Sequence, residues 1–461
     1  MQQRPPARAS TLDTVLLGAT VLIPTLAQGP VLRRPRMVRL AARFDTNRIA
    51  NRTLARLRRR HGAGPLSVVV PGRRALVLLS PEDARNLFAA TPAPLTSANR
   101  EKTGCLRHFE PDGVLISPGE SRPERRAFNE TVLDWGASAH RLFPALTPRI
   151  REEARSLLNL HHGSGRPLDW DSFSAAFWRI IRRVVLGDAA RDDHHLTELL
   201  NTLRTDGNWL NFRKPKNATR DEFLARVRSY VDNAAPDSLA ALVADTPCPE
   251  AANAAGQIPH WLFAYDAASI ATYSALALLA VHPDHADRVR RELSGTDADQ
   301  PATADTLPFL RACVLESLRL WPTSVAILRD TTAEITWHNG TTSPVDTGVV
   351  FYSSFFHRDA QHLPHADRFE PDAWLDGRNK DNWALAPFSH GAAECPGQDL
   401  VLFTTATLLA TLLRDHRAHL LLSRSSLTPS APLPHTIDHT TLRFALIPNN
   451  KPGPASSDPG R

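Results

Sequence analysis

The chain has 461 residues, 42% hydrophobic and 22% charged, enough to bury a large core and enclose a cofactor. Its 54 Lys and Arg against 48 Asp and Glu give a net charge of +6, carried almost wholly by arginine. Those arginines are scattered through helical segments with no basic stripe interleaved with aromatics, which argues against a nucleic-acid surface. The four cysteines, Cys105, Cys248, Cys313 and Cys395, form no Cys-x-x-Cys pair. That spacing argues against an ordinary zinc site and fits a reducing, cytoplasmic compartment better than a disulfide framework.

In chain order, Thr14 to Leu32 is an uncharged run behind Arg4 and Arg8. Pro24, Gln28, Gly29 and Pro30 interrupt it, so it is expected to pack on the protein or touch a membrane surface rather than span one. Ile49 to Arg60 reads as a basic helix. Leu66–Val70 and Ala75–Leu79 around Pro71-Gly72 read as a hairpin, and a helix starts at Pro81. Asn99 to Pro118 is a long loop with short elements. Phe173, Phe177, Ile180, Ile181, Val184 and Val185 fall at helical spacing and predict a core helix. Two helices, Leu196–Arg204 and Asp221–Asp232, flank an aromatic loop holding Trp209 and Phe212. Gln257–Ala280 is the longest helical stretch, stopped near His282-Pro283. Asp266 lies in its apolar middle, where an acid is costly unless paired or functional. Glu316 and Arg319 share a face of the next helix, Leu310–Leu320, an arrangement that alone signals only a surface pair.

The most informative stretch is Pro387 to Leu400. A single cysteine, Cys395, stands between Gly391 and Gly397, with Phe388 before it and an apolar helix after it. At a glycine usage of roughly 7%, two glycines at these offsets arise by chance about once in 200 cysteines. The plain alternative is a free cysteine buried in a turn.

Phe388-x-x-Gly391-x-x-x-Cys395-x-Gly397 resembles the cysteine loop of the cytochrome P-450 family. Further upstream, Phe369-x-Pro371-x-x-Trp374 resembles its meander, and Glu316-x-x-Arg319 the pair that locks that meander. The two helices joined by the Trp209 loop resemble the family's mobile lid, which with Phe263, Ala264, Ala267, Val325 and Ala326 is expected to line the substrate pocket. The resemblance covers roughly residues 30 to 450. It implies a mainly α fold with small β-sheets near the N-terminal part: an entry segment (1–36), one catalytic domain (37–450) and a flexible tail (451–461). It also implies heme b (iron protoporphyrin IX), with Cys395 as axial thiolate, which pushes electron density onto the iron and favours O–O cleavage. Phe388, Gly391 and Gly397 would shape the loop against the heme. Arg126 and Arg329 would bond its propionates, and His108 is either a further contact or a surface histidine. Asp266 falls where the family places a distal acid that, with a following alcohol, relays protons during dioxygen activation.

The sequence departs from the family pattern at four places. Ala267 holds the alcohol position, Ala264 replaces a glycine, Arg122 stands where tryptophan is common, and Ala393 replaces a propionate-binding Arg or His. The expectation is a heme-thiolate monooxygenase acting on an apolar or amphipathic small organic substrate, in specialised metabolism. A ferredoxin or flavoprotein would supply electrons, with peripheral membrane contact left open. The missing alcohol keeps two alternatives: a peroxygenase, coupling or rearrangement enzyme, and a non-catalytic heme or ligand-binding protein.

Overall fold

The computed structural model describes residues 4–70, 72–119, 121–423 and 427–449. The expected tail 451–461, Pro71 at the hairpin tip and Glu120 before the arginine helix lie outside the described residues.

Four helices carry the main core: Phe143–Ser164, Trp170–Leu186, the central helix Ile258–Val281 and Gln398–Leu413. The apolar stripe from Phe173 to Val185 is fully buried, as its spacing predicts. Phe173 meets Tyr273 of the central helix at 4.7 Å between ring centroids, and Phe143 stacks on Phe403 at 3.8 Å. Each such side chain contributes on the order of 1.5–3 kcal/mol by leaving water. The central helix has Pro259 in its first turn, where a missing N–H leaves no helical bond unmade, and it ends at His282 before Pro283.

The sheets are not confined to the N-terminal part. A six-stranded sheet runs Ala7–Arg8, Leu66–Val70, Arg73–Val77, Thr347–Tyr352, Ala326–Thr331, Leu95–Thr96. Two of its inner strands therefore come from the C-terminal half. A second sheet pairs His416–Leu422 with Arg443–Pro448 and Leu168–Asp169. These pairings join segments far apart in the chain, which local periodicity does not report. The hairpin 66–77 forms as expected. Pairing of Arg329 with Val349 and Asp330 with Gly348 fixes the alternation that buries Arg329 and turns Asp330 to the other face.

The N-terminal run is helical from Thr11 to Gln28, long and apolar enough to cross a membrane by length and composition. Pro24 does not break it, because a π-helical stretch, Gly18–Leu22, precedes it and leaves Pro24 in the first turn of Ile23–Gln28. Leu17 is buried, and Asp13 bonds Arg60 and His61 of the basic helix Thr46–His61 at 3.2 and 3.0 Å. Leu12, Val15, Leu22, Ile23 and Leu26 remain exposed.

Candidate functional site

The cysteine loop is held from behind by a buried polar lock. Glu316 and Arg319 are both 0% exposed, so this pair is not the surface pair that its spacing alone signals. Glu316 accepts from the Glu370 N–H at 2.9 Å and the Trp374 indole at 2.8 Å. Arg319 donates to the carbonyls of His357, His365, Ala366 and Arg368, using its planar fork on four acceptors at once. His357 continues the chain of contacts. Its Nε2 accepts from the Ala386 N–H at 2.9 Å, just ahead of the loop. Burial, and then the neighbouring Arg319, push the His357 ring down to about 3, so the ring is the neutral acceptor this bond needs. Sequence reading missed His357, whose role appears only once helix Ser353–His357 is placed beside the loop.

In the loop itself, the Cys395 N–H bonds the Phe388 carbonyl at 2.9 Å and the Glu394 N–H bonds Gly391. Gly391 has φ +65°, and a Cβ there would lie 3.0 Å from the Phe88 carbonyl oxygen, so glycine is required. At Gly397 a Cβ would make only ordinary contacts, with Leu133 and the Cys395 sulfur. Burial pushes the Cys395 thiol up, while the Gly397 N–H and the Arg126 cation act in the opposite sense. Helix Gln398–Leu413 begins three residues on and turns its N-terminal end toward this segment. Arg126 donates to the Glu394 carbonyl at 2.6 Å and pairs with Glu130, so it braces the loop.

The test of fit for heme is electrostatic. Arg329 is 3% exposed, yet its donors reach only Thr91 Oγ1 and the Leu328 carbonyl. Among the described residues, Arg122 reaches only Ser97 Oγ, and Lys102 the Ser97 and Leu328 carbonyls. The nearby carboxylates are already taken, Glu101 and Asp330 by Arg73 and Glu110 by His260. Burial pushes Arg329 down to about 10, with Arg122 adding repulsion, and Lys102 is pushed well down by burial and then by Arg329. Three mutually repelling cations without a carboxylate are disfavoured unless an anion joins them. Two propionates supply that anion, so the residues present fit the group. With heme bound, Lys102 and Arg122 would stand in for the side chain missing at Ala393. His390 does not, because its Nε2 is bonded to the Leu385 carbonyl and its ring lies against Trp383 and Phe88. Nor does His108 join the cations: it is buried, with Nε2 on the Leu210 carbonyl and Nδ1 unpartnered. Lys102 carried no sequence signal, being one lysine in a loop region.

The opposite wall is the central helix. It is buried along most of its length, but Phe263, Ala264, Asp266, Ala267 and Ile270 are partly accessible and mark the face turned to the cavity. Asp266 is tied by its Oδ2 to Arg204 at 2.5 Å, and the Arg204 guanidinium also lies over the Phe263 ring. Arg204 belongs to the first lid helix, His194–Gly207, a partner the sequence did not disclose. Ser269 and Thr272 do not replace the alcohol missing at Ala267, since their hydroxyls bond the carbonyls of Asp266 and Ala268 and both are buried. Trp209, expected to line the pocket, instead lies 46% exposed between Arg34 and Arg213. The lid helix presses on helix Arg100–Leu106, where a Cβ on Gly207 would meet the Cys105 carbonyl oxygen at 2.6 Å.

Fold and site together describe a mainly helical protein with a braced cysteine loop, a long central helix and a set of cations resting on neutral acceptors. The family model for cytochrome P450 matches residues 250–432. Cyclooctat-9-en-7-ol 5-monooxygenase of Streptomyces melanosporofaciens is 36% identical over 155 residues, 32% of this chain and 34% of that protein. Cytochrome P450 4c3 of Drosophila melanogaster is 30% identical over 172 residues, 36% of this chain and 32% of that one. The chain thus spans about a third of the length of these curated relatives. The solved structure of retinoic acid bound cyanobacterial CYP120A1 shares the fold, with a TM-score of 0.71, 18% identity, and coverage of 85% of this chain and 94% of that chain. Residues 250–432 thus match the cytochrome P450 family, and the fold of the chain is that of a solved P450 structure.

Proposed function

We propose that this protein is a heme-thiolate monooxygenase, oxidising an apolar or amphipathic small organic molecule with dioxygen and two electrons. The observation that carries the reading is the pairing of a braced cysteine loop with the partly accessible Lys102 and the buried Arg122 and Arg329, cations that have no carboxylate of their own among the described residues. Heme bound there supplies the dioxygen chemistry, with Cys395 as its thiolate ligand. The chain's own part is to hold the cysteine, exclude water with the lid and keep an acid at the cavity wall. A ferredoxin or flavoprotein suits as electron donor, by the family's general habit. A small organic substrate in specialised metabolism is supported by the relative named for its action on cyclooctat-9-en-7-ol. The scattered cysteines support a cytoplasmic setting, and the exposed apolar face of Thr11–Gln28 supports peripheral membrane contact.

The test is the absorbance spectrum of the purified, dithionite-reduced protein with carbon monoxide. A strongly red-shifted Soret band, absent in Cys395→Ala, is the expected result. A band typical of histidine ligation, or no heme, overturns the reading. A second reading, a peroxygenase, is favoured by one arrangement: Ala267 has no hydroxyl and Asp266 is bound to Arg204. Turnover with peroxide and no reductase, equal to or above that with an electron donor, would select it.

A further inference from the structure

Arg33 is a partly accessible cation near Asp266 and Arg204 that makes no ion pair among the described residues. It leaves a tight strap, Gly29 to Arg34, that follows the N-terminal helical run. Gly29 has φ +86°, and a Cβ there would lie 2.1 Å from the Leu32 carbonyl oxygen, so the turn requires glycine. The end of the lid helix grips this strap. Asn208 Oδ1 accepts from the Val31 and Leu32 N–H groups at 2.9 and 3.1 Å, and its Nδ2 donates to the Leu32 carbonyl at 2.8 Å. Arg204 donates to the Val31 carbonyl at 3.0 Å with the same Nη2 that holds Asp266.

From this clamp Arg33 reaches the segment after Trp321-Pro322, where its Nη2 donates to the Thr323 carbonyl at 2.9 Å. Its only other bond is a long one of 3.4 Å to the Gly29 carbonyl, and no carboxylate of the described residues lies within 4.0 Å of it. The charged neighbours do not neutralise it. Asp266 is matched by Arg204, and burial pushes His439 down to about 4, leaving that ring neutral. The balance at this end of the cavity is one positive charge. Beyond it the walls are apolar: Phe263, Ala264, Ala267 and Ile270 on the central helix, and Val325 to Leu328 on the facing segment, all partly accessible.

We infer that Arg33 anchors the anionic head of the substrate, and that the substrates are amphipathic carboxylic acids whose apolar bodies lie between the central helix and Val325–Leu328. This deepens the proposed monooxygenase function and rests on it for the place of the reacting end. An arginine with free donors and no partner carboxylate is the group best suited to a carboxylate ligand, which it can meet with two parallel bonds. A neutral apolar substrate would leave that charge half-buried and unmatched.

The experiment titrates the heme-loaded protein with lauric acid and abietic acid and with their methyl esters, following the change in the heme absorbance. Intrinsic tryptophan fluorescence gives a second readout. In the unaltered protein at least one acid is expected to bind about 10-fold or more tighter than its ester. In Arg33→Gln that acid is expected to weaken about 10- to 100-fold while its ester changes little. Arg33→Lys, which keeps the charge, is expected to retain most of the preference and guards against a variant that fails to fold. Esters binding as tightly as acids, no acid binding at all, or discrimination surviving in Arg33→Gln each overturn the anchor. Absence of the carbon monoxide band overturns the heme reading instead, and the fluorescence titration then still decides the anchor.

Discussion

On the cysteine side of the cavity, the buried charges that lock the fold are matched: Glu316 by Arg319, the Glu370 N–H and Trp374, and Arg319 by four carbonyls as well. On the other side, at the proposed propionate and entry positions, Lys102, Arg122, Arg329 and Arg33 rest on neutral acceptors only among the described residues. The same residue types do opposite work in the two places. Where the protein completes its own electrostatics it builds a fixed support. Where it leaves cations incomplete, it leaves places for carboxylates that arrive with a ligand.

The sharpest way to break this comparison is at the matched side. Arg319→Leu leaves Glu316 buried without its counter-charge and is expected to destabilise the protein by about 3–5 kcal/mol, read as a lowered urea midpoint and poor recovery of folded protein. On the unmatched side the sign should differ between states. Lys102→Met or Arg329→Met relieves repulsion in the heme-free protein, so its melting temperature should hold or rise. Heme retention, followed by transfer to apomyoglobin, should fall about 10- to 100-fold for the loss of a charge-assisted bond.

Acid sharpens the contrast further. His357 is held neutral, its folded value pushed down to about 3 from an ordinary 6.5. Between those values the unfolded chain binds a proton that the folded protein excludes. The stability from this group is therefore complete above about pH 6.5 and declines as pH falls toward 3, by up to about 1.4 kcal/mol per pH unit. His357→Gln, which keeps an acceptor, should flatten that decline in a series of urea titrations. The smallest effect is expected at Asn208→Ala. Losing the clamp on Val31 and Leu32 should lower the melting temperature by only about 2 °C, but should speed proteolytic cleavage in the strap.

The matched side was the more legible in sequence. Glu316, Arg319, Phe369, Trp374 and Cys395 lie in compact motifs whose spacing survives translation into structure. Even there, His357 was invisible, because its role depends on a backbone N–H 29 residues away. The other side is assembled from Arg33, Lys102, Arg122, Arg204, Asp266 and Arg329, single residues on segments that meet only in three dimensions. Asp266 and Arg329 could be placed by resemblance, but the tie from Asp266 to Arg204 and the involvement of Lys102 could not. His108, open in sequence between propionate contact and surface position, is buried against the lid loop. The strand His416–Leu422 was likewise missed, since it alternates poorly and is defined by its partner.

The position of the strap also sets where the chain can be shortened. A version starting after Gln28 would shed the exposed helical run and one edge strand, leaving Asp13's former partners Arg60 and His61 facing water. A version starting after Arg34 looks almost the same on paper. It would remove Val31 from the core, take the Val31 and Leu32 N–H donors from Asn208 and the Val31 carbonyl from Arg204, and delete Arg33. Between those two start points, six residues separate trimming an appendage from opening the roof of the cavity.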